Sequence, residues 1–271
     1  PESLQLWILW ILFAKRPLSP AEFRHALWAG LLEQCLVDPE LPDDIHMDAV
    51  TLVTISSKVL AEITKSKQPT VQLIHEPVRD FLVKEKGIQD LWPKLGFDLE
   101  GPSHEILKRC CTTYLHHPRV RAIIVAPEGG DDEWNAMAEK CSFLAYAGQQ
   151  VLYHANAAAP VVPQDGFLTE FFASAEIRVI NHLEKFKARQ YGPHATPLYV
   201  LADKGLGNHI HIQIKRELAT DVLGERYQYL LFAALANGHK SAIAALLGLS
   251  STVCDGVDIT DGLNYKKDLR D

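Results

Sequence analysis

Apolar and polar positions alternate along this chain in patterns that set out most of its elements. Residues Leu4 to Phe13 are apolar except for Gln5, which predicts a helix with no polar face and burial on nearly every side. Lys15 and Arg16 follow at its C-terminal end, where the helix dipole favours positive charge. Ser19-Pro20-Ala21-Glu22 reads as a helix start. Ser19 is the N-cap, Pro20 sits at N1, and Glu22 at N3 can bond back to the Ser19 N–H. Phe23, Ala26, Leu27, Gly30 and Leu31 form its apolar side. Asp38 to Asp48 is acidic with two prolines, a surface connection, and a third helix is expected from about Asp48 to Val59. Leu60–Ile63 and Thr70–Ile74 can then pair as a hairpin around Thr64 to Pro69. Val78, Phe81 and Leu82 recur at helical spacing, with Pro77 in the first turn, so His75 falls at a strand-to-helix junction.

Beyond Lys86 the pattern is helical throughout. One helix opens at Gly101-Pro102-Ser103 and runs through Leu107, Cys110, Cys111, Tyr114 and Leu115 to an end marked by Pro118. Asp131-Asp132-Glu133 places acids ahead of Trp134, Met137 and Ala138. Helical spacing continues through Cys141–Ala147 and Val151–Ala155, and Phe167–Phe172 and Ile177–Phe186 supply two more helices. The C-terminal part repeats itself: Thr196–Gly205 lies over Tyr229–Gly238 at an offset of 33 residues, where Ile210 also meets Ile243 and Ile214 meets Leu247. Thirty-three is the ankyrin period, and Thr196-Pro197-Leu198 and Asn237-Gly238-His239 are ankyrin-like phrases. Leu198, Leu201, Ile210 and Ile214 are expected to pack towards Leu231, Ala234, Ile243 and Leu247. The second copy departs at Tyr229-Leu230, where Thr-Pro is usual. Two repeats are too few for an independent stack, so they either lean on the helices before Pro193 or have lost later repeats by truncation. If later repeats are cut away, the last unit has no polar cap and keeps an apolar side open, which invites self-association or a return of the Val253–Asp271 tail.

Composition narrows the class. With 271 residues, 47% hydrophobic and 23% charged, the chain fits two modest domains or an elongated array with a packed core. A net charge of −7 works against broad nucleic-acid binding. The expected third helix carries one lysine, no arginine and no Asn or Gln for base edges, so direct readout has little to work with. There is no polybasic run for an anionic membrane. The N-terminal apolar run is too short to span a bilayer and lacks signal-peptide features. Cys35, Cys110, Cys111, Cys141 and Cys254 are odd in number and lack C-x-x-C spacing, which suits reduced cysteines in a cytoplasmic protein, most of them buried. Because the chain starts at Pro1 directly inside a helix, it reads as a piece of a longer protein.

The segment Val71-Gln72-Leu73-Ile74-His75-Glu76-Pro77-Val78-Arg79-Asp80-Phe81-Leu82 closely resembles the end of the winged-helix domain in signal-transduction NTPases with a NACHT or NB-ARC core. The fungal-type NACHT–ankyrin proteins match it best. Leu18-Ser-Pro-Ala-Glu-Phe23 looks like the second helix of that winged helix, and residues 141–155 resemble the linker leading into the ankyrin repeats. The resemblance implies that His75 senses the phosphate of a nucleotide in the intact protein. An imidazole at a helix N-terminus suits that task, since the dipole there favours an anion. A histidine that only caps its helix remains the alternative. The implied fold is mainly α: a winged-helix domain with a small hairpin at 1–90, a helical linker domain at 91–192, two ankyrin-like repeats at 193–249, and a tail or further repeat at 250–271.

Catalytic motifs are missing. No G-x-x-x-x-G-K-[ST] loop is present, and Gly205-Leu206-Gly207 lacks the rest of a dinucleotide fingerprint. His116-His117 and His209-Ile210-His211 diverge rather than converge on a metal, and exposure or local capping is expected for them. The resulting expectation is a non-catalytic regulatory and protein-interaction fragment with no cofactor of its own. ADP or ATP would bind in the intact protein. Its partners would be the NACHT domain of the same protein and a protein ligand of the repeats. A self-contained helical adaptor, with His75 purely structural, is the second reading; a hydrolase using a cryptic Cys–His pair is the third.

Overall fold

The computed structural model describes residues 2–42, 60–85, 87–95, 98–125, 138–173, 176–216, 222 and 224–248. Its elements in order are α1 (Glu2–Phe13), α2 (Pro20–Glu33), β1 (Ala61–Ile63), β2 (Val71–Leu73), α3 (Glu76–Lys84), α4 (Gly87–Leu91), α5 (Glu100–His116) and α6 (Pro118–Val125). There follow α7 (Leu144–Ala158), α8 (Asp165–Ala173), α9 (Glu176–Leu183), α10 (Pro197–Asp203), α11 (Gly207–Gln213), α12 (Leu230–Ala236) and α13 (Lys240–Leu246). Among the described residues the fold is mainly helical with one small antiparallel sheet. The chain forms two compact units: Pro1–Pro163 with Ala173–Leu183, and Gln164–Phe172 with Glu184–Asp271.

In the first unit α1 is buried as its composition demands, with Leu6, Trp7, Ile8, Leu9 and Trp10 all closed to solvent. Trp7 meets the Phe23 ring edge-on at 5.3 Å, and Trp10 meets Phe143 and Tyr146 the same way at 5.3 and 5.6 Å. The capping box at the start of α2 is present. The Glu22 N–H donates to Ser19 Oγ (3.2 Å) and the Ser19 N–H to Glu22 Oε2 (2.9 Å). Arg16 adds a hydrogen bond to Glu22 Oε2 at 2.9 Å, which raises the guanidinium pKa further. At its other end α2 closes with paired bonds from Cys35 N–H to Leu32 O and from Leu36 N–H to Leu31 O, both 2.9 Å. Cys35 takes φ 58 to make this turn.

The hairpin pairs Ala61 with Leu73, Glu62 with Gln72 and Ile63 with Val71. Three residues per strand are too few to stand alone. The Val71 N–H therefore matters, since it donates to Leu18 O (2.9 Å) and ties β2 to the link before α2.

Helix α5 runs between α2 and α7, which decides the fate of the adjacent cysteines. A Cβ on Gly30 would stand 2.8 Å from Cys110 Sγ, so Cys110 faces α2, while Cys111 lies near Tyr146 on α7. They point in different directions and both are fully buried. Cys141 is buried too and Cys35 is exposed. Residues 144–158, which span most of two helical stretches expected from the sequence, form one helix, α7, which packs on α5 and α9. The expected helix at 48–59, the segment carrying Trp134 and Met137, and the tail from 249 onward lie outside the described residues.

In the second unit every boundary of α12 and α13 falls 33 residues after that of α10 and α11. Both turns use a left-handed glycine, Gly205 (φ 75) and Gly238 (φ 71). Both close with the same bonds, Leu206 N–H to Leu201 O and His239 N–H to Ala234 O, each 2.9 Å. Only the first copy has a side-chain cap, with the Tyr199 N–H donating to Thr196 Oγ1; Tyr229 offers no acceptor. The two segments thus share one helix–turn–helix form. Leu247 differs from expectation: it is 55% exposed rather than packed against the first copy.

Candidate functional site

Val71 and Leu73 form β2, the Ile74 N–H donates to Leu60 O (3.0 Å), and the chain then turns directly into α3. His75 is the N-cap residue, with extended backbone (φ −133, ψ 130), an exposed side chain and no side-chain capping hydrogen bond. The imidazole therefore does not serve as a local cap. Pro77 in the first turn has no N–H, and the Val78 N–H donates to His75 O at 3.1 Å. Few backbone donors are left for an anion, so the ring itself, held on a strand exit, is the group best able to meet a ligand.

A second polar constellation was not visible in the sequence. His104 on α5 and His154 on α7 meet Nδ1 to Nδ1 at 2.8 Å, both buried. His154 Nε2 lies 3.0 Å from the Tyr146 hydroxyl, which accepts the Lys15 N–H at 2.9 Å. One arrangement of protons serves all these contacts. Tyr146 donates to His154 Nε2, His154 Nδ1–H donates to His104 Nδ1, and His104 Nε2–H points towards Glu100, 4.0 Å away. Both rings are neutral: burial lowers His104 to about 4, and burial with His104 and Lys15 nearby holds His154 well below the usual histidine value. The chain of bonds fastens the end of α1 to α5 and α7. No sequence spacing announces it, because His104 and His154 lie 50 residues apart on separate helices.

His116 is exposed, and His117 bonds Pro39 O at 2.9 Å. His209 is fully buried beside Phe167, against the expectation of exposure, while His211 is exposed. Among the described residues no group of three His, Cys, Asp or Glu side chains could hold a metal. Burial pushes the Cys110 thiol up to about 12 and Cys111 well above its ordinary value, so neither is a thiolate at neutral pH. A groove of about 330 Å³ beside α2 has Leu27, Trp28, Leu31 and Val37 among its walls and no histidine or cysteine.

The seam between the two helix pairs is polar at the turns. Asp203 accepts Asn237 Nδ2 and Arg226 Nη2 on Oδ1 (2.9 and 2.8 Å) and the Tyr191 hydroxyl on Oδ2 (2.9 Å). Burial and the Asp203 charge push the Tyr191 phenol well above its ordinary value, so it stays the donor. His239 Nε2 bonds Asp203 O (3.0 Å) and Ser241 Oγ donates to Gly205 O (3.1 Å). Comparison with family models, curated proteins and solved structures found no match. No helix among the described residues is long and apolar enough to cross a membrane.

Proposed function

We propose that this chain is a non-catalytic regulatory and interaction part of a NACHT–ankyrin type signalling NTPase. In this reading residues 1–90 are its winged helix, and the helix pairs at 196–214 and 229–247 are ankyrin-type repeats that bind a protein ligand. The observation that carries it is the exposed, non-capping His75 at the exit of β2, inside the twelve-residue stretch that resembles the nucleotide-sensing segment of those proteins. The helix boundaries and turn bonds repeated at 33 residues support the repeat half of the reading. In the resting protein His75 would donate a hydrogen bond to the phosphate of ADP held by the nucleotide-binding domain. Release of that bond would free the winged helix to move.

The test belongs in the intact protein. His75→Ala should speed ADP release and shift the molecule towards its active form, by about tenfold for the loss of one charge-assisted hydrogen bond. Unchanged ADP release in that variant removes His75 from sensing and leaves the adaptor reading.

A further inference from the structure

We propose that the His104–His154–Tyr146 chain is a proton-operated latch on the end of α1. The case rests on where hydrogens sit along the chain, and it does not depend on the family reading. In the neutral chain His104 keeps a hydrogen on Nε2, and one hydrogen lies in the 2.8 Å contact between the two Nδ1 atoms. The ring nitrogen left without a hydrogen is His154 Nε2, which accepts from the Tyr146 hydroxyl at 3.0 Å. A further proton, taken from solvent, therefore ends on that atom, whichever of the two rings carries the charge.

Its arrival leaves Tyr146 without an acceptor. The hydroxyl already receives the Lys15 N–H at 2.9 Å, and it would now face His154 Nε2–H as well. Among the described residues it has no other hydrogen-bond partner, and the side chain is fully buried. A buried O–H caught between two donors is unfavourable, so the phenol lets one of them go. The cover over both rings is α1 itself: Trp10 meets the His154 ring edge-on at 5.9 Å, and Phe13 meets the His104 ring at 5.7 Å. Lifting the end of α1 from Trp10 to Lys15 admits water to the charged pair and to the freed hydroxyl.

The charges around the pair set the direction of the movement. Lys15 stands 4.4 Å from the centre of the Tyr153 ring, which meets both histidines, and Arg16 lies 5.2 Å from that of Tyr146 while held by Glu22 of α2. Both cations repel a charged pair, and both move with the end of α1. On α5, Lys108 is paired with Glu105, and buried Cys111 near Tyr146 stays a neutral thiol. Among the described residues α6 and α9 set no charged partner on either ring. Glu100, one turn before His104 and 4.0 Å from its Nε2, is the carboxylate beside the pair. It draws the charge to His104, with the hydrogen between the Nδ1 atoms passing to that ring.

Nitrogen NMR and amide exchange on the full chain test the latch. At about pH 7.5 His154 should carry its hydrogen on Nδ1 and His104 on Nε2. Between about pH 6 and pH 4.5 protection of the Lys15 amide, corrected for intrinsic exchange, should fall roughly tenfold per pH unit, one proton for each opening. The Ile210 amide of α11, which bonds Leu206 O, should keep its protection, and this separates local release from global unfolding. Tyr146→Phe lacks the clasp and should leave the Lys15 amide poorly protected at both ends of the range. Glu100→Gln, at an exposed side chain, should move the loss to lower pH. A purely structural role for Glu100 at the start of α5 would instead raise exchange at every pH. Four results overturn the proposal: a His154 hydrogen on Nε2 at pH 7.5, a Lys15 amide indifferent to pH, a loss in step with Ile210, or the same midpoint in Glu100→Gln and parent.

Discussion

Cys35 holds a left-handed backbone at the position where a helix usually ends on glycine, and its two turn bonds keep it there. A side chain in that conformation costs roughly 1–2 kcal/mol, partly offset in glycine by the greater freedom of its unfolded chain. Cys35→Gly should therefore raise stability by roughly 0.5–1 kcal/mol in denaturant unfolding. The His104–His154 pair gives a sharper signature. Each ring has its folded pKa depressed below its unfolded value near 6.5, so the stability it contributes is complete above about pH 6.5. It is lost as the pH falls from there towards about 4, with a magnitude of up to about 3 kcal/mol for His104. A His104→Gln variant should lose less stability than the parent across that window. An equal loss in both would assign the acid sensitivity to carboxylates instead. Capping residues such as Ser19 and Glu22 were legible because their partners lie within three positions. His104, His154 and Tyr146 were not, because a buried histidine is chosen by groups that the sequence places far away.

Elements with strong local signals appear where periodicity put them: α1, α2, both strands and the two helix pairs at 33 residues. Short helices such as α4 and α6 carry too few apolar repeats to be read, and the two stretches join in α7 across Gly148, where a Cβ would stand 2.5 Å from Val179 of α9. At this scale the glycine on α11 is decisive. Gly207→Ala would place a methyl group 2.7 Å from the Ser241 carbonyl oxygen and push the helix pairs apart, at a cost of about 1–3 kcal/mol. The same change at Gly166 meets nothing within 4 Å and should cost far less, which gives the control. Comparable losses at both sites would mean that close approach is not what Gly207 provides. Loss of the Ser19 cap, Ser19→Ala, should cost about 1 kcal/mol by the same measurement.

For the molecule as a whole, the nucleotide reading makes a plain demand on the isolated chain. It contains no phosphate-cradling loop, so titration calorimetry with ADP or ATP should detect no submicromolar binding; tight binding would place the pocket inside this chain. The position of His75 on the surface was legible from the strand-to-helix switch around it. The tie from the Val71 amide to Leu18 has a measurable consequence here. The hairpin borrows its order from the capped start of α2, so the two should open to solvent as one event. Hydrogen–deuterium exchange would then show the Val71 amide exchanging in step with the Phe23 amide, which bonds Ser19 O at 2.8 Å. Any ligand that draws on His75 would slow both together, making the Val71 amide a reporter of occupancy at a site about a strand's length away.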